Sequence, residues 1–187
     1  MRRVLSGIQP TGQLHLGNYL GAVQNWVKLQ RTHESFYAIV DMHAITSSYF
    51  QVASGAPLAS ALRNSIKDTA ATLIASGIDT RYLFVQSQVP EHAELMWVLS
   101  CVAPMHWFNR MTQFKEKKQA LDGASLGLLA YPALMAADIL LYKADLVPVG
   151  EDQTQHLELS KNVAERFNSL FKPTFPVPQA VFSQSLP

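Results

Sequence analysis

The chain has 187 residues, which is the usual length of a single domain, and 48% of them are apolar, enough for a substantial core. A formal net charge of +1 excludes a globally basic surface for nucleic acid. Cys101 is the only cysteine, which excludes a disulfide framework and a cysteine-based zinc site.

The first predicted elements are a strand, a tight turn and a helix. Val4 and Leu5 belong to a buried strand, residues 10–12 form a Pro-Thr-Gly turn, and an amphipathic helix runs from Gly17 to about residue 32. A helix start presents unpaired backbone N–H groups and the positive end of a dipole, which suits phosphate. The turn is neither a Gly-x-Gly-x-x-Gly dinucleotide fingerprint nor a P-loop, since both patterns are missing.

The next segments alternate strongly between strand and helix. Residues 35–40 are almost continuously apolar and predict a strand buried on both faces. A helix is expected over about 57–76 and a third strand over 82–86. This alternation predicts an α/β fold with a parallel, doubly wound sheet.

The middle of the chain changes character. From residue 91 to about 118 the helical pattern continues with no strand, and we expect a helical insertion at about 91–125. Its large apolar side chains are Met96, Trp97, Met105, Trp107, Phe108, Met111 and Phe114. Burial in the core and exposure at a subunit interface explain them equally well.

The last third returns to the alternating pattern. A helix is predicted from Tyr131 to about residue 143, a strand over 146–149, and a helix from Glu151 to about residue 170. Pro148 within the strand predicts a sheet edge or a bulge, because proline donates no ladder hydrogen bond. The Pro-rich segment 172–178 is expected to be extended.

Unusual residues follow three of the predicted strands: residues 7–9, 41–43 and 149–153. Ligands of open parallel sheets bind beyond the carboxyl ends of the strands, at the point where strand order reverses. The sequence therefore predicts one site to which all three segments contribute.

Tyr131, Met135 and Asp138 are spaced to share one face of a helix. A carboxylate on a largely apolar face needs a hydrogen-bond donor, and an indole N–H only donates. Asp138 is thus a candidate acceptor for a ligand donor such as an indole N–H, with Met135, Val147 and Val149 as apolar contacts for the ring. The alternative is that Asp138 is hydrogen-bonded within the fold.

The segment His15-Leu16-Gly17-Asn18 is similar to the His-Ile-Gly-His signature of class I aminoacyl-tRNA synthetases. Together with the preceding Gly7-Ile8-Gln9-Pro10-Thr11-Gly12, it resembles the bacterial and organellar tryptophanyl-tRNA synthetases in particular. The resemblance runs through nearly all of the chain and implies the Rossmann-like doubly wound sheet of that class. Asn18 replaces the final histidine of the signature, as is usual in this subfamily.

The resemblance implies ATP-dependent activation of L-tryptophan to tryptophanyl-adenylate, with Mg²⁺ carried by ATP, followed by transfer to tRNA(Trp). The tryptophan carboxylate is the nucleophile, so no side chain is expected to act as nucleophile or proton shuttle. A homodimer with no membrane association, in the cytoplasm, is implied as well. Two alternatives stay open: another nucleotidyl transferase of the superfamily, and a non-catalytic dimer that binds tryptophan or nucleotide.

The resemblance also implies two sets of binding residues and no metal-binding residues. The ATP-binding set is Gln9, Pro10, Thr11, His15, Gly17, Asn18, Gly150, Glu151 and Asp152. The tryptophan-binding set is Leu5, Gly7, His43, Tyr131, Met135, Asp138, Val147, Val149 and Gln153. From residue type alone, Glu151 and Asp152 are equally suited to capping a helix.

Class I synthetases that this chain resembles carry a second signature, Lys-Met-Ser-Lys-Ser or a variant, and a helical anticodon-binding domain. Neither is found between residues 1 and 187. We therefore expect residues 1–187 to form the nucleotide-binding catalytic domain of a longer enzyme, with very low activity by themselves.

Overall fold

The fold is built on a five-stranded sheet in which every strand pair is parallel. The computed structural model describes residues 1–12, 14–46, 58–111, 125–150 and 153–182. The strands are β1 (Arg3–Ile8), β2 (Glu34–Ile39), β3 (Leu83–Val85), β4 (Leu146–Val149) and β5 (Gln179–Phe182), in the order β3-β2-β1-β4-β5. The predicted α/β class and parallel sheet are confirmed.

Helices connect the strands and cover the sheet. They are α1 (Leu16–Asn18), α2 (Gln24–Leu29), α3 (Asp41–Ile45), α4 (Leu58–Ala75), α5 (Glu91–Val102), α6 (Met105–Asn109), α7 (Leu126–Leu141) and α8 (Thr154–Leu170). A π-helical turn, Tyr19–Val23, joins α1 to α2, and 3-10 turns at Thr80–Tyr82 and Gln86–Gln88 flank β3. Within the described ranges, no helix combines the length and the apolar character that crossing a bilayer requires.

The two faces of the sheet carry separate cores. Because side chains alternate along a strand, Val4 packs with Trp26 and Leu73 on one face, whereas Leu5 packs with Ile139 and Leu157 on the other. Burial on both faces explains why residues 35–40 read as a continuous apolar run.

Some large apolar side chains of the middle segment are buried in the core, and others are exposed. Leu99, Phe108 and Met111 are buried in the second of the two cores, but Trp97 and Met105 are exposed. Residues 112–124, including Phe114, lie outside the described residues.

Several predicted boundaries were wrong. Helix α7 begins at Leu126 rather than at Tyr131, and the Ser125 hydroxyl caps it by accepting a hydrogen bond from the Leu128 N–H at 3.1 Å. Helix α3 was not predicted, nor was strand β5, which directly follows the Pro-rich segment and pairs with β4. Both are short, and tertiary pairing rather than local pattern stabilises such elements.

The expectation that Pro148 lies at a sheet edge or a bulge was also wrong, since β4 lies between β1 and β5 and pairs with β5 in continuous register. Pairing of β4 with β1 is confined to Val4 opposite Leu146, so the ladder stops before Pro148. The Pro148 carbonyl instead accepts a hydrogen bond from the Ser6 hydroxyl at 3.4 Å. Pro148 stays in register with Val181 of β5, whereas β1 and β4 are not paired with each other toward their carboxyl ends.

Candidate functional site

A cavity of about 550 Å³ lies at the carboxyl ends of β1, β2 and β4. Strand order reverses between β1 and β4, so the cavity occupies the switch point at which open parallel sheets bind ligands. The ends of β1 and β4, which are not paired with each other here, form two of its walls. Helix α7 contributes Tyr131, Met135, Asp138 and Ile139 to its lining.

The structure brings most of the sequence-predicted candidates together. All nine tryptophan-binding candidates line the cavity: Leu5, Gly7, His43, Tyr131, Met135, Asp138, Val147, Val149 and Gln153. Of the ATP-binding candidates, Gln9, Gly17, Asn18 and Gly150 line it, whereas Pro10, Thr11 and His15 do not. Glu151 and Asp152 lie outside the described residues.

The Asp138 carboxylate accepts three side-chain hydrogen bonds in the cavity wall. Its Oδ2 lies 2.8 Å from His43 Nε2, and its Oδ1 lies 2.7 Å from both Gln86 Nε2 and His92 Nδ1. These lengths are typical of charge-assisted hydrogen bonds. The four side chains come from α3, α5, α7 and the turn after β3, so the network ties separate elements together at the cavity.

This network settles the charge of Asp138. Burial alone would raise the pKa of its carboxyl, but the hydrogen bonds from His43 and His92, and the positive charge those rings can carry, hold the pKa below its ordinary value. The two histidines are its only ion-pair partners among the described residues. Asp138 is therefore an ionised acceptor in an almost solvent-free wall.

Tyr131 forms a second polar group on the same helix face. Its hydroxyl lies 2.5 Å from Nε2 of the buried His156 on α8. Burial raises the pKa of Tyr131 to about 12, so the phenol keeps its proton at neutral pH. The hydroxyl is thus held by its neighbour on α8 at the edge of the cavity.

The helix start after β1 is closed by a reciprocal cap. His15 Nδ1 accepts from the Asn18 N–H at 3.3 Å, and Asn18 Oδ1 accepts from the His15 N–H at 3.1 Å. Since Nδ1 is an acceptor here, the proton of a neutral His15 ring lies on Nε2. At Gly7, a Cβ would lie 2.8 Å from Val40 Cγ1, so only glycine lets β1 pass this close to the neighbouring wall.

Sequence reasoning missed the residues behind the cavity wall. Gln86 and His92 contact Asp138, Tyr142 contacts His92, and His156 contacts Tyr131, but none of the four lines the cavity. His92 and His156 read as ordinary histidines because their partners are 46 and 25 residues away. No local pattern signals such pairs, although burial of a histidine on an apolar helix face would have been a reason to look for a partner.

Comparison with known proteins supports a family assignment. The family model of class I tRNA synthetases (W and Y) matches residues 1–187. The chain is 55% identical to the tryptophan–tRNA ligase of Parasynechococcus marenigrum over 186 residues, 95% of this chain and 52% of that protein. It is 51% identical to the tryptophan–tRNA ligase of Deinococcus radiodurans over 188 residues, 98% of this chain and 55% of that protein.

A solved structure agrees with these relatives. The tryptophanyl-tRNA synthetase of Campylobacter jejuni, complexed with ADP and tryptophan, superposes with a TM-score of 0.87 at 38% identity, covering 99% of this chain and 56% of that one. This chain belongs to the class I tRNA synthetase family of the tryptophan and tyrosine enzymes. It spans about half the length of the curated relatives it matches.

The Asp138 network predicts a specific pH dependence of stability. The folded-state pKa lies below the unfolded value of about 3.9, so stabilisation is complete above that value and is lost as the pH falls through the folded pKa. Asp138→Asn should lower the free energy of unfolding at pH 7 by about 3–5 kcal/mol, because it breaks a buried pair. The difference in free energy of unfolding between Asp138→Asn and the unaltered protein should persist down to about pH 4 and become smaller below it.

Urea unfolding at several pH values measures this difference directly. Asp79→Asn is the matched control, because it removes an exposed carboxylate that pairs with Arg81 at the surface. An Asp138→Asn difference that is absent at pH 7, or that grows below pH 4, would contradict an ionised Asp138.

Proposed function

We propose that residues 1–187 form the nucleotide-binding catalytic domain of a tryptophan–tRNA ligase, with a helical segment at about 91–125. Such an enzyme joins L-tryptophan to ATP, giving tryptophanyl-adenylate and pyrophosphate, and then transfers tryptophan to tRNA(Trp). The names of the relatives support this proposal, as do the ADP and tryptophan in the Campylobacter jejuni structure. A cytoplasmic location, predicted from the sequence, belongs to the same proposal.

The observation that carries the proposal is a buried carboxylate that accepts three side-chain hydrogen bonds in the wall of a largely apolar pocket. A carboxylate offers about four acceptor positions, and the described residues fill three of those on Asp138. The fourth, on Oδ2, suits an indole N–H, which donates and cannot accept. Met135, Val147 and Val149 supply apolar walls of the cavity for the ring.

We assign the amino group of the substrate to Tyr131 and Gln153, which both line the cavity. The Tyr131 hydroxyl, which is hydrogen-bonded to His156 Nε2, has the kind of oxygen that accepts from an ammonium group. The Gln153 side-chain carbonyl is a second acceptor of the same kind. This arrangement recognises the part of the substrate that every amino acid shares, whereas Asp138 recognises the indole.

We assign ATP to the helix start after β1 and to the end of β4. Backbone N–H groups near Gly17, and Nε2–H of His15, are donors for phosphate oxygens. Gly150 lines the cavity and is assigned to the ribose, and the proposed set is completed by Gln9, Pro10, Thr11, Asn18, Glu151 and Asp152. Among the described residues no group of three His, Cys, Asp or Glu side chains could hold a metal ion, so Mg²⁺ is proposed to arrive on the ATP phosphates, its usual ligands.

Catalysis in this proposal consists of placement and charge stabilisation. The substrate carboxylate attacks the α-phosphorus and pyrophosphate leaves, so the protein supplies no nucleophile and no proton shuttle. Holding the two substrates in one cavity replaces a bimolecular encounter, and donors aimed at the phosphates stabilise the charge that develops.

Tryptophan-dependent exchange of pyrophosphate into ATP tests the proposal, measured on the protein in its full natural length. We expect exchange with tryptophan and almost none with phenylalanine, which cannot use the Asp138 acceptor. Asp138→Ala should weaken tryptophan binding by roughly 1–3 kcal/mol, which raises the KM for tryptophan. It should also abolish most of the preference for tryptophan over phenylalanine. Asp79→Ala, a surface carboxylate, is the control and should change neither.

Two results would overturn parts of the proposal. No exchange with any amino acid would favour a non-catalytic binding protein, and exchange that ignores tryptophan would favour another nucleotidyl transferase. Exchange with unchanged selectivity in Asp138→Ala would keep the enzyme class but remove Asp138 as the reader of the indole.

We further propose that a second copy of the chain covers the exposed face of α5 and α6. Trp97 is 71% exposed and Met105 is 69% exposed, and Val98 is exposed beside Trp97 on α5. Exposed aromatic and methionine surface of this kind marks association, and two-fold dimers are the commonest assembly. The homodimer implied by the sequence resemblance uses the same segment.

Light scattering at micromolar concentration should report about twice the chain mass of 20.7 kDa. Trp97→Glu should shift the protein to monomer, because it places a charge in the centre of the apolar face. Ile74→Glu, an exposed apolar position on α4, is the control and should leave the dimer intact. A monomeric unaltered chain, or a Trp97→Glu protein that stays dimeric, would contradict this interface.

A further inference from the structure

A second layer of polar side chains stands directly behind Asp138. Gln86 and His92 are fully buried and both contact Asp138 Oδ1, while Tyr142 Oη lies 2.9 Å from His92 Nε2. None of the three lines the cavity. They do not contact the space in which a ligand would lie, but two of them contact the Asp138 carboxylate directly.

The hydrogen bonds of this layer run in one direction, toward Asp138. An ionised carboxylate only accepts, so His92 donates to it from Nδ1 in either charge state of the ring. When the ring is neutral, its Nε2 accepts from the Tyr142 hydroxyl. Burial, reinforced by the negative charges of Asp138 and Glu91, raises the pKa of Tyr142 to about 12, so this hydroxyl keeps the proton that it donates. With a neutral His92 ring, Tyr142 thus donates to His92 and His92 donates to the Asp138 carboxylate.

The layer also decides which oxygen remains available. Gln86 and His92 fill both acceptor positions of Oδ1 at 2.7 Å, and His43 fills one position of Oδ2. Backbone contacts fix Gln86 in turn, since its Oε1 accepts from the Met42 N–H at 3.2 Å. A ligand donor can reach only the last position on Oδ2.

We propose that His92 and Gln86 are positioning residues for substrate selection: they hold Asp138 ionised and oriented so that a single Oδ2 acceptor faces the cavity. This inference rests on the proposed reading of the indole by Asp138. Without the two donors, the carboxylate is free to rotate or to take up a proton, and a protonated oxygen would present a donor to the donor of the substrate.

The test compares two ligands that differ in one donor. L-Tryptophan and L-3-(3-benzothienyl)alanine have nearly the same shape, but the second has sulfur in place of the indole N–H. Calorimetry gives the Kd ratio of the two ligands for the unaltered protein, His92→Phe, His92→Asn and Gln86→Met. Ser100→Ala, on the same helix as His92 but hydrogen-bonded only to Met96, is the control.

We expect the unaltered protein and Ser100→Ala to prefer tryptophan strongly. His92→Phe keeps the ring but not the donor, and should reduce the preference about ten-fold or more by weakening tryptophan binding alone, as for a lost hydrogen bond to a charged group. His92→Asn, whose amide can replace the Nδ1–H donor, should restore part of the preference. Gln86→Met should act as His92→Phe does, and carries the test if His92→Phe fails to fold.

A purely structural role predicts a different pattern. If the variants weaken the binding of both ligands equally, the Kd ratio stays unchanged. In that case His92 and Gln86 do not act through the Asp138 acceptor, and the inference is wrong. If the unaltered protein itself does not prefer tryptophan over the sulfur analogue, the proposed contact between Asp138 and the indole is what fails, and the inference falls with it.

Discussion

The site depends on keeping one carboxylate ionised although the protein buries almost all of it. A buried charge is costly unless donors surround it, and Asp138 has three of them, on α3, on the turn after β3 and on α5. Because α7 carries Asp138 itself, the hydrogen bonds hold four elements in fixed relation around the cavity. The group that would select the ligand therefore also organises the wall in which it lies.

The sheet supplies the space for this arrangement. Pairing of β1 with β4 stops after Leu146, and Pro148 contributes no N–H that could extend the ladder. The two strands thus end as separate walls at the point where strand order reverses. Glycine at position 7 lets β1 pass close to Val40, and the helix start capped by His15 and Asn18 follows the same strand. The largely apolar cavity and the helix start that suits phosphate therefore lie next to each other.

Prediction from sequence succeeded where the signal was local or periodic. The apolar run at 35–40, the spacing of Tyr131, Met135 and Asp138, and the turn before His15 predicted the parallel sheet and most of the cavity lining. It failed for β5 and α3, which are too short to show a period, and for Pro148, whose tolerance depends on where a neighbouring ladder ends. The partners of Asp138 lie 46 to 95 residues away, so only the folded chain shows that Gln86 and His92 stand behind it.

Three of the roughly four acceptor positions of Asp138 bind donors of the fold, and the remaining one is the position proposed for the indole N–H. The most direct test is NMR of bound tryptophan labelled with ¹⁵N at the indole nitrogen. The account predicts an indole proton signal shifted downfield from that of free tryptophan, with slow exchange against water, and loss of both features in Asp138→Asn. An indole proton that exchanges freely at the position of free tryptophan would contradict the account.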